Sequence, residues 1–363
     1  MIDLQLDSPA DGGACVGRAD GQVVFARHGL PGEHVGVEVQ AQAKRFLRAD
    51  VVRVSSPNPQ RVASPCPYFH PGGCGGCAWL HADPDYQLEL KGQWLTDTLR
   101  RIGGVEWPVR VRSIGPATGW RTRLTLHVED GRAGFHPIAS HELIAVDHCL
   151  QAAPELDLDE ILRQRWGSPT VYVSLSDNGR SIIAGSQRMG PDEHVHMVLG
   201  RRLRRPVDGF WQSHRDGAAT LAAAVRDLAA PAERIVDLYA GVGLFGLTLD
   251  APHVTLVEGD RAAAAHARRN GQARVLNVDV KRWRTEPADL VVLDPPRAGA
   301  GPKVVSAIAA AKPEQVVYVS CDPATLARDL RHFAEHGYRP DHIEGFDLFP
   351  GTAHVETVVR LTR

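Results

Sequence analysis

Five of the six cysteines have neighbours that suit them to chemistry. Cys321 stands in Val319-Ser320-Cys321-Asp322-Pro323, directly after the apolar run Gln315-Val316-Val317-Tyr318. That places a thiol where a strand should open into a helix. The partial positive charge of a helix N-terminus favours the thiolate, so Cys321 is expected to be ionised and nucleophilic. A small buried strand cysteine would leave the same local trace. Cys66, Cys74 and Cys77 lie in Cys-Pro-Tyr-Phe-His-Pro-Gly-Gly-Cys-Gly-Gly-Cys, and Cys149 follows far downstream. Three close thiols and one distant one can surround a metal centre, and an all-thiolate set suits either a [4Fe-4S] cluster or a zinc ion. A redox pair at Cys74 and Cys77 lacks its usual βαβ setting, and Cys15 has no assigned task.

Cys321 needs a rigid frame, and the chain from about Glu233 supplies one. Strand-like runs Arg234–Tyr239, Asp289–Asp294 and Gln315–Ser320 alternate with helical stretches such as the Ala-rich Arg261–Asn270. Apolar strands separated by helices indicate a parallel sheet covered on both faces, with ligands at the carboxyl ends of its strands. Gly241-Val242-Gly243-Leu244-Phe245-Gly246 follows the first strand and is expected to open a helix, its glycines allowing close approach of a ligand to backbone N–H groups. Glu258, ending the next strand, could accept hydrogen bonds from a ribose diol. Both features serve NAD as well as S-adenosylmethionine, and the turn alone could be a structural corner. The fourth strand ends in Leu293-Asp294-Pro295-Pro296-Arg297, a carboxylate and a rigid turn with nothing that handles a hydride.

Upstream, Leu4 to about Val54 alternates apolar and polar residues between Gly and Pro turns, the pattern of a small β-barrel. Ser55-Ser56-Pro57-Asn58-Pro59 reads as a linker. An amphipathic helix is expected over Tyr86–Ile102, and mixed strands over about Val109–Val198, clearest at Leu124–Val128 and Thr170–Leu175. The result is three domains: a barrel at 1–56, a small α+β central domain bearing the cysteines at 57–205, and an α/β, Rossmann-like domain at 206–363.

A formal net charge of −2 gives no global support for nucleic-acid binding. The local clusters Lys44–Arg48, Arg121/Arg123 and Arg201–Arg205 could touch phosphates or could be ordinary solvated faces. The acidic Met1–Asp7 segment and the lack of an apolar run of ~18 residues lead to an expected cytoplasmic location without membrane contact. A monomer is expected, since no exposed heptad is evident.

With these motifs in order, the sequence resembles the RNA 5-methyluridine methyltransferases. The resemblance runs over nearly the whole chain: a TRAM-like, OB-like RNA-binding barrel with Leu30-Pro31-Gly32-Glu33, then Phe210-Trp211-Gln212, Asp237–Gly246, Asp294–Arg297, Ser320–Pro323 and His354-Val355-Glu356-Thr357. It implies a class I S-adenosylmethionine-dependent fold in which Cys321 adds to carbon 6 of uracil and Glu356 removes the carbon-5 proton. It further implies cofactor contacts from Gln212, Tyr239, Gly241, Gly243, Glu258, Asp279 and Asp294. Relatives with the Cys66, Cys74, Cys77 and Cys149 arrangement carry a [4Fe-4S] cluster, although the first spacing is two residues longer here. Leu244 and His214 also depart from the family pattern.

The chemistry is consistent with that implication. Carbon 5 of uracil is a poor nucleophile until a thiolate adds at carbon 6, and its proton must leave before the cysteine can be eliminated. A uridine inside a duplex could not reach Cys321, so the target should lie in a loop or be flipped out. Phe210 or Trp211 could stack on RNA or pack in a core. Ribosomal RNA is favoured over tRNA by analogy alone. Competing readings are methylation of another RNA position, which commonly uses Asn-Pro-Pro, and a non-catalytic RNA-binding protein, in which Cys321 and Glu356 need not survive. A cytosine carbon-5 enzyme would favour a second active-site cysteine, and none follows Cys149 except Cys321.

Overall fold

The computed structural model describes residues 1–363. Strands Ile2–Pro9, Cys15–Ala19, Gln22–Arg27, His34–Gln42 and Phe46–Ser56 close into a five-stranded barrel. Alternation explains its interior: Leu4, Leu6, Val24, Ala26, Val35, Val37, Leu47, Ala49 and Val51 all point inward. Cys15 is part of this packing, its Sγ donating to the Gly29 carbonyl at 3.3 Å.

A six-stranded antiparallel sheet comes next, ordered Gln187–Met189, Gly179–Ala184, Thr170–Ser176, Arg123–Glu129, Arg132–Phe135 and Ile144–Ala145. Cys149 lies in the loop beyond that last short strand. The hairpin Glu193–Val198/Arg201–Pro206 forms a separate two-stranded sheet, hydrogen-bonded to the Asp177–Asn178 turn of the larger one. Within the hairpin Arg205 is fully buried, donating to the carbonyls of Pro206, Val207 and Gly209, so this member of the basic cluster is a structural brace rather than a phosphate contact.

The third sheet has eight strands. Arg274–Asn277, His253–Glu258, Arg234–Leu238, Leu290–Leu293 and Gln315–Ser320 run parallel, then Glu356–Thr362 returns antiparallel beside Gln315–Ser320. Arg339–Asp347 and the upstream segment Val111–Ser113 complete the edge. Neighbouring residues feed opposite faces. Val236, Val291 and Val316 pack with Ile308, Leu326 and Leu330, whereas Ile235, Val292 and Val317 pack with Leu221 and Val225. This two-sided burial accounts for the unbroken apolar strands.

Two expectations change. The Gly-rich segment does not open an α-helix: it forms successive turns ending in a 3-10 helix, Gly246–Thr248. Three glycines within six residues, two of them at positive φ (Gly241 +55°, Gly243 +95°), disfavour a continuous helix. The helix expected over Tyr86–Ile102 instead starts at Pro84, with Asp83 capping the Asp85 N–H, and its last turn widens into π geometry over Leu99–Gly103.

Candidate active site

The site is built on the carboxyl ends of the parallel strands. Tyr239, directly after Arg234–Leu238, adopts φ +61°, a left-handed conformation costly for a bulky residue and found where function holds it. The chain then turns through Gly241, where an added Cβ would meet nothing within 4 Å. That open approach is what a ligand needs. Gly243 serves packing, since a Cβ there would fall 2.6 Å from Leu247 Cδ1. Glu258 accepts N–H bonds from Gly241 (2.8 Å) and Asp260 (2.6 Å), tying the second strand end to the Gly turn. Its remaining lone pairs are available to hydroxyl donors.

Asp279 caps the short turn Val280–Arg282 through the Lys281 N–H at 2.8 Å, and its charge reaches Tyr239. Gln212 is buried against Gly217. The structure thus gathers Tyr239, Gly241, Glu258 and Asp279 around one strand-end rim. Trp211 is core, stacked on His196 at 4.2 Å, while its neighbour Phe210 is 73% exposed with the Arg123 guanidinium over its ring.

The second half of the site holds Cys321, Asp294 and Glu356. Cys321 follows Gln315–Ser320, Glu356 opens the adjacent antiparallel strand, and the register pairs Ser320 with Thr357, setting their neighbours side by side. Glu356 is 3% exposed, not the solvated residue that a terminal strand suggests. Burial and then the Asp294 charge drive its carboxyl well above the usual range, against the pull of Arg297. Burial raises Asp294 to about 7.

Cys321 contradicts the expected thiolate. Burial, then the charges of Glu356 and Asp294, push its thiol up to about 12, with Arg297 the opposing cation. The helix Pro323–Glu335 fails to compensate because Asp322 caps it, accepting the Thr325 N–H at 2.8 Å and placing a negative charge between helix and thiol. Sequence reasoning assigned Arg297 no role. Its charge acts on both Cys321 and Glu356, and the signal was present in the sequence as a cation three residues after Asp294.

Elsewhere, Cys66, Cys74, Cys77 and Cys149 line one cavity of about 240 Å³, with Arg121 in its wall. As placed, no three His, Cys, Asp or Glu side chains of the chain converge to hold a metal ion. The segment Trp120–Arg123 ties this cavity to the segment 212–215. The Arg121 N–H donates to Gln151 and the Ala153 N–H to Arg121, while the Thr122 N–H donates to Ser213 and the Arg215 N–H to Trp120. Gln151 lies two residues beyond Cys149, and Ser213 directly follows Gln212. Trp120 also stacks on His214, fixing the residue that departs from the family pattern.

A twisted parallel sheet with a Gly turn at its first strand end and a buried acidic pocket beyond it defines a class I methyltransferase architecture. Residues 248–363 match the family model described as tRNA (Uracil-5-)-methyltransferase, and residues 2–52 match the TRAM domain. An uncharacterized RNA methyltransferase of Streptomyces coelicolor is 37% identical, covering 99% of this chain and 92% of its own. One from Corynebacterium efficiens is 35% identical, with 100% and 94% covered. The tRNA (uracil-54, C5)-methyltransferase of Pyrococcus abyssi, solved with S-adenosyl-L-homocysteine, shares the fold over 99% of this chain and 100% of its own at TM-score 0.76 and 24% identity. The chain belongs to the S-adenosylmethionine-dependent RNA uracil-5-methyltransferases that carry a TRAM domain.

Proposed function

We propose that this methyltransferase modifies a uridine of ribosomal RNA through a covalent bond between Cys321 Sγ and uracil carbon 6. The observation that carries the reading is the convergence of Cys321, Glu356, Asp294 and Arg297 at the adjoining ends of three strands. The bound donor supplies an electrophilic methyl group on a sulfonium, whose positive charge suits a pocket of buried carboxyls.

In the free protein the thiol keeps its proton. Arg297 favours the thiolate; the thiol proton passes to solvent as Sγ adds to carbon 6, the electron pair moves to carbon 5, and carbon 5 attacks the methyl group, whose bond to the donor sulfur breaks to leave S-adenosylhomocysteine. Glu356, having released its own proton to solvent, then takes the carbon-5 proton, and Sγ leaves as a thiolate as the 5,6 double bond re-forms. A carboxyl with a raised pKa is the stronger base once ionised. Asp294 is within electrostatic reach of both groups and holds the uracil edge. Gln212, Tyr239, Gly241, Glu258 and Asp279 bind the donor, Gly243 shapes the turn by letting the backbone pack on Leu247, and exposed Phe210 offers a stacking face to RNA.

The presence of four cysteines, Cys66, Cys74, Cys77 and Cys149, in the lining of the second cavity supports a structural [4Fe-4S] cluster held by them, with zinc as the competing occupant. Metal analysis of the purified protein separates the two. We assign residues 1–56 to RNA binding, 206–363 to methyl transfer, and 57–205 to the cluster except for the Pro84–Thr98 helix and Val111–Ser113, which pack with the methyl-transfer sheet, in a cytoplasmic monomer acting on a looped or flipped-out uridine. No helix is long and apolar enough to cross a membrane.

The test is nucleoside and fragment mass spectrometry of total RNA incubated with the protein and isotopically labelled S-adenosylmethionine, with Cys321→Ala in parallel. Labelled 5-methyluridine in ribosomal fragments, abolished by the substitution, is expected. Label confined to tRNA would overturn the ribosomal assignment. Undiminished transfer by Cys321→Ala would overturn the covalent route.

A further inference from the structure

Asp329 is a buried carboxylate to which methyl transfer as proposed gives no task. It is 3% exposed on the helix Pro323–Glu335, two turns beyond the cap that follows Cys321. Its oxygens accept three hydrogen bonds, all from neutral donors: the Ala300 N–H at 2.7 Å, the Gly301 N–H at 3.1 Å and the Tyr318 hydroxyl at 2.7 Å. Burying a carboxylate without a cation is costly, and such a group persists where its hydrogen bonds fix something specific.

What they fix is the loop after Asp294-Pro295-Pro296-Arg297. The loop closes with the Gly299 N–H on the Pro296 carbonyl at 2.8 Å, then Ala300 and Gly301 dock on Asp329. Gly299 has φ +79°, and a Cβ added there would lie 2.8 Å from Asp329 Oδ2 and 3.1 Å from Thr325 Cβ. The contact therefore requires both a glycine in the loop and a short carboxylate on the helix. Tyr318, on the strand leading to Cys321, completes the junction.

We propose that Asp329 is a positioning residue for methyl transfer, clamping the Asp294–Arg297 turn to the helix and strand that flank Cys321 so that Arg297 faces the thiol. This rests on reading Cys321 as the nucleophile. The groups bearing on that thiol are Glu356, Asp294 and Asp322, which oppose its ionisation, and Arg297, which favours it. A displaced Arg297 leaves the three carboxyls unopposed.

The clamp is tested on the full chain with ribosomal and transfer RNA transcripts carrying 5-fluorouridine. Fluorine at carbon 5 cannot leave as the proton does, so the methylated Cys321 adduct accumulates and its rate can be read on denaturing gels. Asp329→Asn keeps the size but turns an N–H donor against one backbone N–H, and Gly299→Ala crowds the same oxygen from the loop side. Both are expected to slow adduct formation ten- to a hundredfold and to move the rising limb of its pH profile upward. Affinity for S-adenosylhomocysteine should stay within about twofold. Adduct formation at the wild-type rate in both variants overturns the clamp alone. Loss of S-adenosylhomocysteine affinity in parallel with rate also overturns it, because the carboxylate would then support the fold generally. No adduct with the wild-type protein removes the nucleophile reading itself, and the clamp with it.

Discussion

Asp237→Asn should make the protein less sensitive to alkali, and the size of the effect is set by one proton. Asp237 is fully buried at the end of the first parallel strand. Its Oδ2 accepts the Gly246 N–H at 2.8 Å, while Oδ1 meets no donor. Burial, aided by the charges of Asp294 and Glu258, raises its carboxyl to about 8. The unfolded chain releases the same proton near the model-peptide value of about 3.9. Between roughly pH 5 and 7 the folded state therefore holds a proton that the unfolded state has lost, and stability falls as pH rises, by about 1.4 kcal/mol per pH unit for that group. The penalty is absent below the unfolded pKa and complete above the folded one. Asparagine keeps an acceptor for Gly246 and removes the titration, so the stability of Asp237→Asn relative to wild type should rise by about 2.7 kcal/mol from pH 5 to pH 7. Urea unfolding of both proteins at pH 5, 6 and 7 measures the difference, in which contributions of the other domains cancel to first order. A difference constant across the three pH values would mean that Asp237 is ionised in the fold, and the linkage reasoning would be wrong.

Glu356→Gln should leave carbon 5 methylated but unable to lose its proton, so that a protein–RNA adduct accumulates on unmodified RNA and turnover falls roughly 10²–10⁴-fold; turnover within a few-fold of wild type would exclude Glu356 as the base. At Gly241 an alanine must occupy φ +55° and project into the open approach, so the dissociation constant for S-adenosylhomocysteine should rise about tenfold by calorimetry. Lys91 forms a buried pair with Asp347 at 2.5 Å, and Lys91→Met should destabilise the protein by about 3–5 kcal/mol, with Lys91→Met/Asp347→Leu recovering most of the loss. If the double variant is no more stable than the single one, an uncompensated charge is not the cause. Cys149→Ser should lower bound iron and, through the tie from Trp120–Arg123 to the segment 212–215, weaken S-adenosylhomocysteine binding severalfold; an unchanged affinity in iron-free protein would show that the cavity and the donor site are uncoupled.

What could be read from the sequence depended on the range over which each signal acts. Barrel and parallel-sheet strands were legible because their apolar periodicity is local, two-residue alternation in one and continuous runs in the other. Helix Arg261–Asn270 was legible to the residue, bounded by the Asp260 cap and Gly271. The Gly turn was placed correctly but given the wrong continuation, because glycine spacing marks where the backbone turns and carries little information on the conformation of the next residues. Cys321 was identified by type and position, yet its protonation was misread: the capping charge of Asp322 was adjacent in sequence, but the burial and the facing carboxyls come from strands that sequence distance hides.

Residues whose importance lies in what they hold were the least visible. Asp329 looks like one more polar helix position until the loop 28–29 residues upstream folds onto it. Arg205 reads as part of a basic surface run until its guanidinium turns inward to three carbonyls. The distinction is physical. A nucleophile or a glycine hinge is constrained by its own chemistry, and so betrays itself in a short window; a buried polar brace is defined by partners that only the tertiary fold brings within hydrogen-bonding distance. The first kind identifies the reaction, and the second determines whether the reacting groups are held closely enough for it to proceed.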